Sequence, residues 1–564
     1  LKGVRYALLG YRWEDIVREL PPMRKIKEGS SIAEKFKMDR RSVLAMSLGW
    51  HVVGAAPIGP CPTDINLAVG GGCFRVIRET PVAKDETGQF SYRDFRSFVR
   101  KWLRKYLVPL QDDEVMTLLE WLDHTAYNQA RKDQIVDDVG ELTSKNIPTW
   151  GTYLWRRIVK VKSHIKREFY GAVKWARWIN SRSDAYKGLT GPFFHAVESK
   201  LFKLWMFAKG LRTDQVIERI SELDRAGSKF FATDHTSFES HIVAKLMKIC
   251  EVQLYSYMAK GLSNSKVLNE LFRALYDKQD MRMVNDSMKI KMRGEARMSG
   301  DMCTSLGNGF TNWMIMAYIC HRKGWKTELQ GIVEGDDGLF RADGPIPTTE
   351  DFEKMGFSIK IEVSDDIGEI GFCQRYFTKE KHSVINPTKV LITSGWTRSA
   401  LKFAGQRILR QLSRAKAYSL LCEAPRNPVT SAMARWIIRS TSDVNPRFSM
   451  NDTDYYKYKT TFIKDNYVDY DYVGACYTLS LLGPTPAQRE LVKRKFGMDI
   501  ETQIGLEEYF EGLQGIQPID TPLIQDILEN TFIVNPCGGK DQLLSQYWHR
   551  WSWDNLVVNY HTFK

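Results

Sequence analysis

No run of about 18 apolar residues occurs in this 564-residue chain, which argues against a membrane-spanning helix. No CxxC pair joins any of its nine cysteines (Cys61, Cys73, Cys250, Cys303, Cys320, Cys373, Cys422, Cys476, Cys537), so nothing has the spacing of a zinc site. An odd count also fits a disulfide framework poorly, and reduced thiols in a cytoplasmic setting are the expectation. No internal repeat or low-complexity tract is visible, which sets aside repeat architectures. The first residue is Leu1 rather than Met, a start shared by a processed polyprotein piece, a readthrough product and a trimmed chain.

What is present is a large basic protein. Lys and Arg number 81 against 67 acids, a net charge of +14, and a polyanion such as nucleic acid is the first partner such a balance suggests. Hydrophobic content of 43%, with 12% aromatics, marks a globular chain, and its length predicts two to four subdomains. Ala55–Thr63 and Gly70-Gly71-Gly72 read as loops, because Pro and Gly end regular elements. From Tyr92 to about Gln134 the apolar spacing (Phe95, Phe98, Val99, Trp102, Leu103) is helical. Residues 156–187 hold ten Lys or Arg against two acids, interleaved with Phe169, Tyr170, Trp175, Trp178 and Tyr186. Cations that neutralise phosphates beside rings that stack on bases suit a nucleic-acid channel, although a solvated helical face reads similarly. Strands and helices alternate from 229 to about 390, and Leu401 to Ser440 is mostly helical.

Residues 331–340 read Gly-Ile-Val-Glu-Gly-Asp-Asp-Gly-Leu-Phe, two carboxylates in a Gly-bounded turn between strand-like runs. Alone this is ordinary turn chemistry. Upstream, Asp234 closes another apolar run, and between them lies Ser299-Gly300-Asp-Met-Cys-Thr304-Ser-Leu-Gly-Asn308. Carboxylates on adjacent strands suit a pair of Mg²⁺ ions about 3.5–4 Å apart, the arrangement used for nucleotidyl transfer. Asp234 and Asp336 are the expected pair, with Asp337 assisting. Thr304 and Asn308, four apart on one helix face, could read a ribose 2′-hydroxyl. A helix N-capped at Ser299 or Asp301 accounts for the same residues.

The order of these motifs resembles the viral RNA-dependent RNA polymerases of positive-strand RNA viruses, nearest the tombusvirus-like lineage. Asp234-His-Thr-Ser-Phe-Glu239 is similar to motif A, Arg297 to Asn308 to motif B, and Glu334-Gly-Asp-Asp337 to motif C. Met355 to Glu362 resembles motif D, Gly371 to Phe377 motif E, and Lys166 to Arg182 motif F. The resemblance implies an α+β right-hand fold with an antiparallel-sheet palm and a helical thumb. Its expected divisions are an N-terminal extension linking fingers and thumb (1–95), fingers (96–225) and palm with motif A (226–245). A fingers insertion (246–290), palm with motifs B to E (291–395), and thumb with C-terminal segment (396–564) follow.

It further implies metal ligation by Asp234, Asp336 and Asp337, with Mg²⁺, or Mn²⁺ in its place, as cofactor. Lys174, Arg177 and Arg182 would meet the triphosphate of the incoming NTP. Glu239, Ser299, Thr304 and Asn308 would meet its ribose. Lys360 would protonate pyrophosphate, while Lys166, Gly300, Gln374 and Arg375 would contact RNA. Template and product RNA, NTPs and other viral replication proteins are the implied partners, in host cytoplasm at membrane-associated replication complexes. Glu239 departs from the Asp usual at the second acidic position of motif A, which leaves sugar selection open. A reverse transcriptase shares the two-carboxylate palm, but typically carries an aromatic where this chain has Glu334. An inactive RNA-binding scaffold would need only the basic channel. Near the end, Tyr547, Trp551 and Trp553 would either pack structurally or stack on a first nucleotide during primer-independent initiation.

Overall fold

The computed structural model describes residues 6–8, 31–34 and the span 43–524 except 54, 56–58, 61–64, 85–89, 126, 144–151, 167, 169–173, 277–280, 285–287, 293–296, 399–403, 447–462 and 465–466. Tyr547, Trp551 and Trp553 therefore lie outside the described residues, as do Arg167, Phe169 and Tyr170. Helices and sheets are both extensive, so the chain is of the α+β class.

At the centre is a four-stranded sheet in the order Ile359–Ser364, Phe230–His235, Asp337–Arg341, Gln330–Glu334, and every neighbouring pair is antiparallel. Side chains alternate across it, as the period of two requires. Phe231, Val333 and Phe340 face one core, where the rings of Phe231 and Phe340 stack at 5.2 Å and Trp313 of the long helix Thr304–Arg322 lies against Phe340. Phe230, Ala232, Ile332 and Leu339 join a second core with Val216, Ile220 and Leu223 of the helix Thr213–Leu223. Each such side chain withdrawn from water contributes about 1.5–3 kcal/mol, which fixes the register and so the positions of the residues at the sheet's end.

A five-stranded mixed sheet carries the basic region, in the order Ser31–Glu34, Met288–Met292, Met281–Val284, Val161–Ile165, Trp178–Arg182. A third sheet pairs Tyr6–Leu8 and Trp396–Arg398 with Val43–Ser47. The N-terminal segment thus supplies strands to two sheets. Beyond it, helices Gln406–Glu423, Thr430–Ser440, Tyr470–Leu481, Pro486–Phe496 and Ile500–Gly512 surround a separate core that includes Leu412, Met433, Trp436 and Phe510. Among the described residues no helix is long and apolar enough to cross a membrane, and the seven described cysteines are free thiols.

Four expectations are corrected. Gly70 to Gly72 are not a loop but lie inside the helix Ile65–Arg75. A Cβ on Gly70 would sit 1.9 Å from the Trp175 ring, and one on Gly71 2.3 Å from the Ala176 carbonyl, so the glycines permit close helix packing. Most of Ala55–Thr63 lies outside the described residues. The helical stretch from Tyr92 is broken: helix Tyr92–Tyr106 ends before Pro109, and Leu118–Asp123 and Gln129–Thr143 follow as separate helices. The helix carrying Asn308 begins at Thr304, with Cys303 as its uncapped N-terminal neighbour, rather than at Ser299 or Asp301. Trp175, Trp178 and Tyr186 are buried and pack internally, with the Trp178 indole donating to the Ala68 carbonyl at 3.1 Å, so they are not open stacking platforms.

Candidate active site

The acidic turn is a two-residue hairpin loop. Glu334 pairs with Asp337 as the last rung, leaving Gly335 and Asp336 to turn the chain. Gly335 has φ +62°, the left-handed value that the first loop residue of a II′ hairpin needs and that glycine adopts without a Cβ penalty. Asn312 holds this turn from below. Its side-chain amide, on the helix Thr304–Arg322, donates to the Gly335 and Asp337 carbonyls, both at 3.2 Å.

Asp234 sits near the end of the adjoining strand and is exposed, while its neighbours Thr233 and His235 are buried. Lys360 is its cross-strand partner, which places the two side chains on one face with Cβ atoms about 4.5–5.5 Å apart. The acids are close enough to repel. Burial, then Glu239 and Asp234, pushes Asp336 up to about 6 against the opposing pull of Arg177. Burial, then Asp336 and Asp234, pushes Asp337 up to about 7, while the Cys373 thiol acts in the other direction. Cys373 also donates to Glu334 at 3.8 Å.

Among the described residues, no group of three His, Cys, Asp or Glu side chains forms a metal cage. Mg²⁺ does not require one, because it is commonly held by one or two carboxylates with waters and substrate phosphates. The mutual repulsion of Asp234, Asp336 and Asp337 is the electrostatic state that a divalent cation relieves, so these residues fit such an ion.

Beside the acids is a small cavity of about 110 Å³, lined among others by Lys166, Arg177, Asn180, Glu239 and Ser299. Asn308 reaches Glu239 at 3.5 Å, and the Glu239 carbonyl accepts from the Arg297 amide at 3.0 Å. Ser299 donates to the Trp178 carbonyl at 2.7 Å, and Gly300 to the Asn180 carbonyl at 2.9 Å. A Cβ on Gly300 would lie 2.5 Å from Ser181 Oγ, so only glycine lets this loop lie against the strand Trp178–Arg182. The structure thus brings Glu239, Ser299, Asn308, Lys166 and Arg177 together.

Other predicted residues have partners of their own. Thr304 turns its hydroxyl back to the Met298 carbonyl at 2.9 Å, bracing the loop. Arg182 is buried in an ion pair with Asp301 at 3.0 Å, both side chains at most 2% exposed. Lys166 pairs with Glu168 at 2.8 Å, and Arg177 approaches the same carboxylate at 3.5 Å. Lys174 is exposed. Gln374, at φ +62°, accepts from Lys389 at 2.5 Å, and Arg375 pairs with Glu423 of the helix Gln406–Glu423 at 3.5 Å. Sequence reading missed Asn312, whose signal was a second Asn four residues beyond Asn308 on the same helix face. It also missed the buried pair of Arg297 with Glu251, which leaves no sequence signal.

An acidic hairpin and a facing strand acid on one antiparallel sheet, with a cation-lined pocket beside them, are the features of a class, the polymerases of nucleic acids. The chain belongs to the viral RNA-dependent RNA polymerase family, which matches residues 192–516. It is 28% identical over 216 residues to the RNA-directed RNA polymerase of oat chlorotic stunt virus (isolate United Kingdom). That match covers 35% of this chain and 28% of the relative's length.

Proposed function

We propose that this protein copies an RNA template into RNA from NTPs in the replication of a viral genome. The observation that carries the reading is the convergence of Asp234, Asp336 and Asp337 at one end of the sheet, beside the pocket of Glu239, Asn308 and Ser299. Divalent cations, Mg²⁺ or Mn²⁺, would activate the attacking 3′-hydroxyl and stabilise the leaving pyrophosphate when bound. The chain's own groups do the placing. Asp234, Asp336 and Asp337 hold the negative pole of the site, and Asn312 fixes the turn that carries two of them. Glu239 and Asn308 orient the ribose of the incoming nucleotide, with Ser299 and Thr304 shaping the loop beneath. Arg177 and Lys174 neutralise its triphosphate, and Lys166 contacts RNA. Arg182, through Asp301, positions that loop from behind. Lys360, beside Asp234, donates a proton toward pyrophosphate.

In this reading the chain is a right hand. The central sheet is the palm (226–245 and 291–395), and 96–225 with the insertion 246–290 form the fingers. The helices within 396–564 belong to the thumb, and 1–95 ties fingers to thumb through its strands in two sheets. Gln374, Arg375 and Gly300 lie along the RNA path. Partnership with other viral replication proteins, in host cytoplasm at membrane-associated complexes, rests on the family alone.

The test is extension on a homopolymeric RNA template, with and without primer, in Mg²⁺ and in Mn²⁺. Asp336→Asn should abolish synthesis and largely spare RNA binding, and synthesis that survives would refute the metal assignment. A strong preference for dNTPs over rNTPs would favour a reverse transcriptase instead.

A further inference from the structure

The geometry points to a second binding site toward the far end of the central sheet, one that takes a nucleotide unit, a flat base carrying phosphate. A cavity of about 730 Å³ opens between the helix Tyr92–Tyr106, the far half of the helix Thr304–Arg322 and the segment 325–330. It is the size of a small-molecule site and far larger than the pocket beside the acids. Gln330 lines it, at the opposite end of its strand from Glu334, which at about 3.4 Å per residue separates it from the acidic turn by roughly 14 Å.

Its lining is aromatic within and cationic outside. Trp102, Trp313 and Trp325 are buried walls, while Phe98, Tyr106 and Trp205 are half-buried. Trp102 and Tyr106 lie 4.7 Å apart at 34°, and the Trp205 indole is fixed by Glu222 at 3.1 Å. The buried indole N–H of Trp313 has no acceptor among the described residues. Exposed Lys101, Lys105, Arg322 and Lys326 outnumber Asp94 and Glu328, and Glu328 is already engaged by Lys105 and by Tyr106. Rings that accept a base beside cations that accept phosphate are the two elements of sequence-tolerant nucleotide binding.

The site also touches the scaffold of the acidic turn. Met206 lines the cavity, and its carbonyl accepts from the Val333 amide at 2.9 Å, one residue before Glu334. Trp313 adjoins Asn312, which holds Gly335 and Asp337. An occupant therefore bears on the same two supports that place the acids.

Equilibrium dialysis of labelled ATP against the full chain in chelator tests this without catalysis, so the outcome is separate from that of the polymerase reading. About one ATP should bind per chain, more tightly than inorganic triphosphate, and Asp336→Asn should leave this binding unchanged. The exposed double variant Lys101→Glu/Lys326→Glu should weaken it at least about tenfold, the loss expected for one charge-assisted hydrogen bond. Displacement of ATP by hexauridylate at lower concentration than by UTP assigns the site to an RNA strand, and the reverse order assigns it to free nucleotide. Either order upholds the site. Absence of ATP binding, triphosphate binding as tightly as ATP, or indifference to the charge reversal would overturn it.

Discussion

Replacing Asn312 by alanine tests how the acidic turn is held. The side chain is 1% exposed, so it meets no solvent and would meet no RNA. Its amide donates to two turn carbonyls, each at 3.2 Å. Each neutral bond contributes about 0.5–1.5 kcal/mol, and a buried group left unpaired costs about 1–3 kcal/mol. Water can reach the half-buried turn in part, so a total near 2–4 kcal/mol is expected, read as a lowered melting temperature. The catalytic effect follows from placement: a displacement of about 1 Å in a reacting constellation costs about a hundredfold in rate. Asn312→Ala should therefore slow single-turnover extension by about two orders of magnitude and leave RNA affinity within about twofold. Asn312→Asp should be worse for folding, because an acid would face two carbonyls and two further acids. An Asn312→Ala protein that melts and extends like the parent would refute the bracing role. So would one that loses RNA binding in step with synthesis.

In chelator, Asp337 titrates near 7 in the fold against about 3.9 in the unfolded chain, so the folded state holds the proton more tightly. Its contribution to stability therefore falls as pH rises from about 4 to 7, and the penalty is complete above that window. Asp337→Asn should melt higher than the parent at pH 8 in chelator, with the gap closing toward pH 5; a gap that widens on acidification contradicts the reasoning. Gly300→Ala places a Cβ 2.5 Å from Ser181 Oγ and 3.0 Å from the Asn180 carbonyl, and should cost about 1–3 kcal/mol in chemical denaturation while impairing NTP use. Asp301→Ala strands the buried Arg182 guanidinium and should cost about 3–5 kcal/mol, whereas the apolar pair Arg182→Met/Asp301→Leu should recover much of the stability.

Much of the site was legible because its chemistry is local. The hairpin around Asp336 shows in the apolar runs that flank it, and the strand ending near Asp234 shows in Phe230 and Phe231. What sequence pattern could not show is the choice among partners for a charged or polar side chain. Arg182 reads as one of ten cations, and it is the loop around Gly300, laid against its strand, that sets Asp301 beside it out of solvent. Thr304 shares a helix face with Asn308, yet the helix starts so late that its hydroxyl meets the Met298 carbonyl. Gly70 to Gly72 look like punctuation until Trp175 is seen against them. Two of these misses are long-range contacts overriding a local rule, and the third turns on where one helix begins.

Among the described residues the strand Ser31–Glu34 pairs with Met288–Met292, and Val43–Ser47 accepts Trp396–Arg398 as one of its neighbours. During synthesis these early strands leave the ribosome long before those partners exist. At about 5–20 residues per second the wait is on the order of tens of seconds, with unpaired edges that invite pairing with other nascent chains. The three-stranded sheet around Val43–Ser47 likewise cannot be completed until residues through Arg398 have been made. A chain stopped short of that point would carry the acidic hairpin yet lack the third strand of this sheet.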